Sequence, residues 1–375
     1  MEAIDAPPEP RVSALELFFD LVFVFGFTQI TGTITAGPTA ANLGRGLLIF
    51  LVLWWAWGAY AWLTNAVSVD EKLPRVVVMT AAAAMLVTAL AVPTAWEDGG
   101  VAFALGFLVV IVLHAVLFAV AGENPETTRG AIMRLAPTNV GAALVLVVAG
   151  AVDGTARPVL WVAAVVITYA GPYLTGVAGF GVHPAHLAER HGLIVIIALG
   201  ESVVAIGSGG DIAVDWGLAG TALLIMGLLI GLWWTYFDHE AEEDEAALTA
   251  AAGVDQARMA RDVYSYLHVP LVLGVVFAAV GIHEALLNRG EPLDPVFAAA
   301  FAGGVALYLG GLAAIRLRRG SRPGAACLAA LVVALAMIPV GKEIDAVASA
   351  AILAAVVLAV AFAERPRSGV LESSP

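Results

Sequence analysis

Cysteine is almost missing from this chain, with Cys327 its single representative. Disulfides within the chain and cysteine-ligated zinc are thereby excluded, and the thiol, lying in an apolar run, is read as helix packing. Charge is scarce as well: Asp, Glu, Lys and Arg make up only 13% of the 375 residues, and of the 18 basic residues just Lys72 and Lys342 are lysines. The opening segment MEAIDAPPEPRV is acidic and Pro-rich and lacks the basic stretch of a cleavable signal, so the first span is expected to stay as an anchor. No Walker loop, G-x-S-x-G elbow or dinucleotide fingerprint occurs in a suitable context, which leaves ATP hydrolysis and serine-type acyl transfer without support. Whether the chain is an enzyme is left open, with a non-enzymatic role favoured, and no metal or cofactor is expected.

What the sequence has in abundance is apolar surface. Hydrophobic residues fill 61% of the positions, more than one water-soluble core could hide. They fall in runs of about twenty residues, the length that crosses a hydrocarbon layer. The lipid bilayer is thus the first expected partner. A net charge of -13 gives no argument for nucleic acid, because much of it sits in one stretch, 238–245 (DHEAEEDE), read as a solvated cytoplasmic helix or loop.

The apolar runs predict an all-α, polytopic membrane protein of about twelve helices, near 14–36, 43–64, 74–95, 101–121, 132–152, 158–179, 190–209, 216–237, 262–287, 295–316, 323–340 and 345–363. Cytoplasmic loops retain Lys and Arg during insertion. With the N-terminus inside, only Arg45, Arg157, Arg289 and Lys342 of the 18 basic residues fall outside. Both termini are therefore expected in the cytoplasm and the chain in the inner (plasma) membrane.

Two six-helix halves are also expected, related by a pseudo-twofold axis along the membrane normal. The stretch 43–60 (LGRGLLIFLVLWWAWGAY) resembles 220–237 (GTALLIMGLLIGLWWTYF), each with a tryptophan pair, and 15–27 and 188–200 each open near a glutamate, Glu16 and Glu189. The division is then a tail 1–13, a first half 14–179, a second half 180–363 carrying the acidic loop 238–261, and a tail 364–375. Chance likeness between apolar helices is the alternative.

Ionisable groups in such spans are costly, so each needs a reason. Glu201, near the middle of the seventh run and flanked by Gly200 and Ser202, is either a substrate, ion or proton site or a structural glutamate bonded to another helix. Glu16 and Asp20 lie four apart and share a helix face, with Thr28 and Gln29 deeper in the same run. Such a stripe could attract a cation or pair with Arg75, Arg134 or Arg190. Arg134, Pro137 and Asn139 supply a cation, a broken helix and an amide within one and a half turns, and Arg134 is the first candidate counter-charge, with Arg190 the second. His186, Glu189 and His191 form a cytoplasm-edge cluster in HPAHLAERH. It lacks a metal-ligand pattern and is read as buried hydrogen bonding or a proton-sensitive contact. Tyr264, His268 and Pro270 open the ninth run, where a proline-loosened helix lines a pathway or a tyrosine sits at the interface.

Three of these stretches, ELFFDLVFVFGFTQIT (16–31), HLAERHGLIVIIALGESVVAIG (186–207) and YSYLHVPLVLGVVFAAVG (264–281), resemble the bacterial low-temperature-requirement A family over residues 11 to 363. The resemblance implies a multi-pass bacterial inner-membrane protein, with family motif positions at Glu16, Phe19, Asp20, His186, Glu189, Arg190, Gly200, Glu201, Tyr264, His268 and Pro270. FFDLVFVF is also similar to the first-helix FSD motif of the non-classical potassium channels, departing from it where Phe19 stands for serine. The expected activity is transport or conduction of a cation or small solute by buried carboxylates. A membrane-embedded lipid-processing enzyme and a non-transporting sensor or scaffold needed in the cold are the alternatives.

Overall fold

The computed structural model describes residues 11–121, 125–207, 215–238 and 240–364, which form fourteen α-helices. The first six are α1 (Ala14–Ala36), α2 (Ala40–Ala66), α3 (Lys72–Leu90), α4 (Gly100–Ala121), α5 (Pro125–Ala151) and α6 (Ala156–Thr175). There follow α7 (Pro184–Gly207), α8 (Trp216–Phe237), α9 (Glu240–Ala250), α10 (Gly253–Ala260), α11 (His268–Leu287), α12 (Pro295–Arg319), α13 (Ala325–Val340) and α14 (Ala346–Ala363). Among the described residues, ten helical stretches are long and apolar enough to cross a membrane. The remaining two predicted spans are α13, shorter at 16 residues, and α7, which carries Glu189, Arg190 and Glu201.

Local sequence explains where these helices start. Ser13 caps α1 in a reciprocal capping box with Glu16, and Thr39, Asp215 and Asp345 each accept an amide of the first turn of α2, α8 and α14; each cap satisfies a donor that the helix itself leaves unpaired. Pro295 opens α12 where its missing N–H costs nothing. α2, α11 and α12 are mostly buried, whereas α3, α5, α6 and α8 turn most of their surface outward. Leu174, Leu223, Val159 and Val332 are among the outward-facing apolar side chains. A belt of this kind requires lipid rather than water around it.

Close packing at the centre depends on small residues. A Cβ at Gly274 would lie 2.5 Å from the Gly304 carbonyl oxygen, and one at Gly304 would lie 2.5 Å from the Gly274 carbonyl oxygen. α11 and α12 can therefore touch backbone to backbone, the small-residue contact typical of helices in lipid.

Three expectations change. α5 runs unbroken through Pro137, and beside it the Thr138 hydroxyl donates to the Leu135 carbonyl at 2.7 Å, so the broken helix is absent; hydroxyls are among the groups that tolerate proline in membrane helices. The irregular backbone lies instead at Arg261–Leu267, a π-helical turn leading into α11. In that i−5 register the amide that would reach the Ser265 carbonyl belongs to residue 270, a proline without N–H. The Trp54 indole donates to that carbonyl at 2.9 Å instead.

The third change concerns the acidic stretch. It folds into α9, with Glu240 and Asp244 each only 2% exposed. Arg316 and Arg319 sit one turn apart at the end of α12. The first contacts Glu240 and Glu364, each at 2.5 Å, and the second contacts Asp244 at 2.5 Å and also Glu243. Four carboxylates around two guanidiniums hold α9 against α12 and α14. His239 and the tails 1–10 and 365–375 lie outside the described residues.

Candidate functional site

α1 and α7 lie side by side and run in the same direction, since Glu16 meets His186, Asp20 meets Arg190 and Thr28 meets Glu201. Each helix carries its first two groups four residues apart, so the pairs stack one turn above the other. Among the described residues this is where the deepest charges gather. Arg190 and Asp20 are 0% exposed, and Glu16 and His186 are 2%.

At the centre, Arg190 Nη2 donates to Asp20 Oδ1 at 2.8 Å, and Trp57 of α2 donates its indole N–H to the same oxygen at 2.8 Å. Arg190 Nη1 stands 3.9 Å from Glu16 Oε1, and the guanidinium lies 5.8 Å over the Trp57 ring. Glu16 Oε2 accepts the Ser13 amide at 2.7 Å, so one carboxylate both caps α1 and faces α7. His186 Nε2 is 3.1 Å from Glu16 Oε1, while its Nδ1 lies 3.4 Å from Asn65 Nδ2. Asn65 is oriented by the His183 backbone, accepting its N–H at 2.9 Å and donating to its carbonyl at 2.8 Å. The amide thus offers a donor to His186 Nδ1, which leaves Nε2 to carry a proton, close to Glu16 Oε1 without completing a hydrogen bond to it.

A second cluster joins through Trp57. His191 follows Arg190 on α7 and packs edge-on to Trp57 at 4.8 Å, then against Tyr264 at 4.7 Å and His268 at 5.1 Å. His268 Nδ1 donates to the Val263 carbonyl at 2.9 Å, which leaves Nε2 to accept from the Tyr236 hydroxyl at 3.0 Å. His191 Nδ1 donates to the Leu187 carbonyl at 2.8 Å. Polar and aromatic groups therefore run from α1 across α2 and α7 to α8 and α11.

The network is incompletely satisfied: Asp20 Oδ2, Arg190 Nε and Nη1, and the Tyr264 hydroxyl are buried with no hydrogen-bond partner. Such atoms in a buried polar network call for an explanation. Further along α1 and α7, Glu201 accepts from Thr28 Oγ1, and the Ser202 hydroxyl beside it is buried without a partner.

The expected residues divide accordingly. Glu16, Asp20, His186, Arg190, His191, Tyr264 and His268 come together. Glu201 and Ser202 lie further along the α1–α7 contact, and Gln29 is half-buried on α1. Three go elsewhere. Arg134 is exposed and donates to the Ala178 carbonyl at 2.5 Å, so the counter-charge to Asp20 and Glu16 is Arg190, not Arg134. Glu189 is exposed and accepts the Val12 amide at 3.2 Å. Asn139 is buried on α5, where it lines a separate crevice. Sequence reasoning missed Trp57, Asn65 and Tyr236, which have no charge or motif to mark them. It also missed the Arg316–Arg319 clamp, whose one-turn spacing at a helix end was a usable signal.

A buried charge network inside a bundle of apolar spans defines a polytopic helical membrane protein. The chain belongs to the family described as Bacterial low temperature requirement A protein (LtrA), which matches residues 11–362. It is similar to "Uncharacterized protein RA0937" of Rhizobium meliloti (strain 1021), with 28% identity over 319 residues covering 81% of this chain and 76% of that one. No solved structure matches the chain.

Proposed function

We propose that this protein moves a cation or small solute across the membrane, and that the Glu16–Asp20–His186–Arg190 network is the closed gate between two six-helix halves. The observation that carries the reading is the complete burial of opposed charges at the contact of α1 with α7. Ion pairs of this kind add little to stability compared with apolar side chains of the same volume, so a working role is the better reason to keep them. Their partly unpaired atoms would gain partners when the helices separate.

The division into halves is supported by packing. α1 touches α2 and α3, α2 touches α6, and α3 to α6 pack in succession; likewise α7 touches α8 and α11, α8 touches α14, and α11 to α14 pack in succession. With five crossings between them, α1 and α7 run parallel. The proposal includes a cytoplasmic face at the start of α1 and an inner-membrane location, supported by the uneven distribution of basic residues.

One observation favours the non-transporting reading, a sensor or scaffold: Glu16, Asp20 and Glu201 each have a partner side chain. The lipid-processing reading has less support, because Glu189 does not converge with His186 and Arg190. Flux of protons, potassium and sodium into liposomes holding the purified chain separates the first two. Transport above protein-free liposomes that falls at least tenfold in Asp20→Asn and Glu201→Gln is expected. Background flux of all three ions in the wild type would remove the cation reading.

A further inference from the structure

Away from the charge network, α2, α4, α5, α6, the chain just after α6 and the π-turn line a crevice, the kind of concave, mostly apolar site that takes small molecules. Its walls are aromatic, contributed by Trp54, Trp55, Trp62, Phe118 and Phe180. It reaches the backbone of α2 at Gly58, where an added Cβ would meet no atom within 4 Å.

The polar groups of the lining residues are the informative ones. Trp55 is 8% exposed, His114 4% and Asn139 3%, yet Trp55 Nε1, both His114 ring nitrogens and Asn139 Oδ1 have no hydrogen-bond partner. The Ala59 carbonyl lies close to the imidazole without completing a bond. The other two indoles are occupied, Trp54 with the Ser265 carbonyl and Trp62 with the Ser265 hydroxyl, both at 2.9 Å, so they offer only their ring faces. Arg261, the one charged residue in the lining, is 2.7 Å from Asp262 and lies 4.0 Å over the Tyr173 ring. The crevice therefore presents flat apolar surfaces and no free charge, with unused donors and acceptors buried in the side chains of its wall.

We propose that this crevice binds an uncharged aromatic ring compound bearing a hydroxyl or carbonyl oxygen, taken up from the lipid phase. The ring stacks among the indoles and phenyls, where offset and edge-on contacts are favourable. The oxygen accepts from Trp55 Nε1 and His114, and a hydroxyl hydrogen is donated to Asn139 Oδ1. A charged ring is rejected because nothing in the crevice balances it. The proposal does not rest on the transport reading: the crevice and the charge network share no residue.

The test is equilibrium binding of 2-naphthol to the full chain in lipid nanodiscs, with naphthalene and 2-naphthoate as probes lacking the hydroxyl or carrying a charge. Saturable binding of one 2-naphthol per chain is expected, with naphthalene and 2-naphthoate each at least tenfold weaker. Gly58→Leu fills the crevice and should abolish saturable binding while its thermal midpoint stays near wild type. Should Gly58→Leu misfold, Asn139→Leu and Trp55→Phe still decide: each should weaken 2-naphthol about tenfold and leave naphthalene unchanged. Non-saturable uptake, equal affinity for naphthalene or 2-naphthoate, or 2-naphthol affinity unchanged in these variants would overturn the assignment.

Discussion

Replacing Arg190 by methionine removes the cation that two buried carboxylates share and leaves the volume of the side chain nearly filled. At an effective dielectric near 20, charges 2.8 and 3.9 Å apart, the distances to Asp20 and Glu16, attract by about 6 and about 4 kcal/mol. Most of that only offsets the cost of taking three ions out of water, so the whole network is worth little net. Removing one partner is a different matter, because Asp20 stays buried with its charge and no cation. The expected destabilisation is about 3–5 kcal/mol, read as a lower midpoint for unfolding by SDS in mixed micelles followed by tryptophan fluorescence. The same account requires relief: Asp20→Asn in the Arg190→Met background should restore at least about 1 kcal/mol, since an amide costs less to bury than an unpaired carboxylate. The reasoning is refuted if Arg190→Met unfolds with the wild type, or if Asp20→Asn adds its full cost to Arg190→Met.

The backbone contact between α11 and α12 predicts that Gly274→Ala costs on the order of 1–3 kcal/mol, whereas Gly310→Ala, whose Cβ would meet only Leu331 Cδ1 at 4.0 Å, stays within about 0.5 kcal/mol. Parallel unfolding curves of the two variants check this. Outside the membrane, burial pushes the Asp244 carboxyl up to about 7, against the opposing pull of Arg319. The folded chain therefore holds this proton more tightly than the unfolded chain, so the group's contribution is complete below its ordinary value of 3.8 and is lost as pH rises towards about 7. Stability measured across that window should fall with pH in the wild type, and the fall should be smaller in Asp244→Asn.

Apolar run length alone determined that these segments become helices in lipid, because a chain that cannot bond its backbone to water must bond to itself. The start of α1 was legible for a similar reason, since Ser13 and Glu16 close a capping box using only neighbours in sequence. The sequence also showed that Glu16 and Asp20 share a face, as helical spacing requires. It left open which of three arginines faces them. Arg190 was selected when α7 docked parallel to α1 and brought 186 and 190 opposite 16 and 20, a match of two local spacings that exists only once the helices are side by side. The same holds for the acidic stretch: its composition reads as solvated in isolation, and it is buried because Arg316 and Arg319, some seventy residues away along the chain, needed counter-charge. Asn139 could equally have joined the acids or faced the crevice, because the rotation of α5 about its own axis is set by packing against α4 and α6. Local spacing fixes what a helix offers, and only tertiary contact decides what receives it.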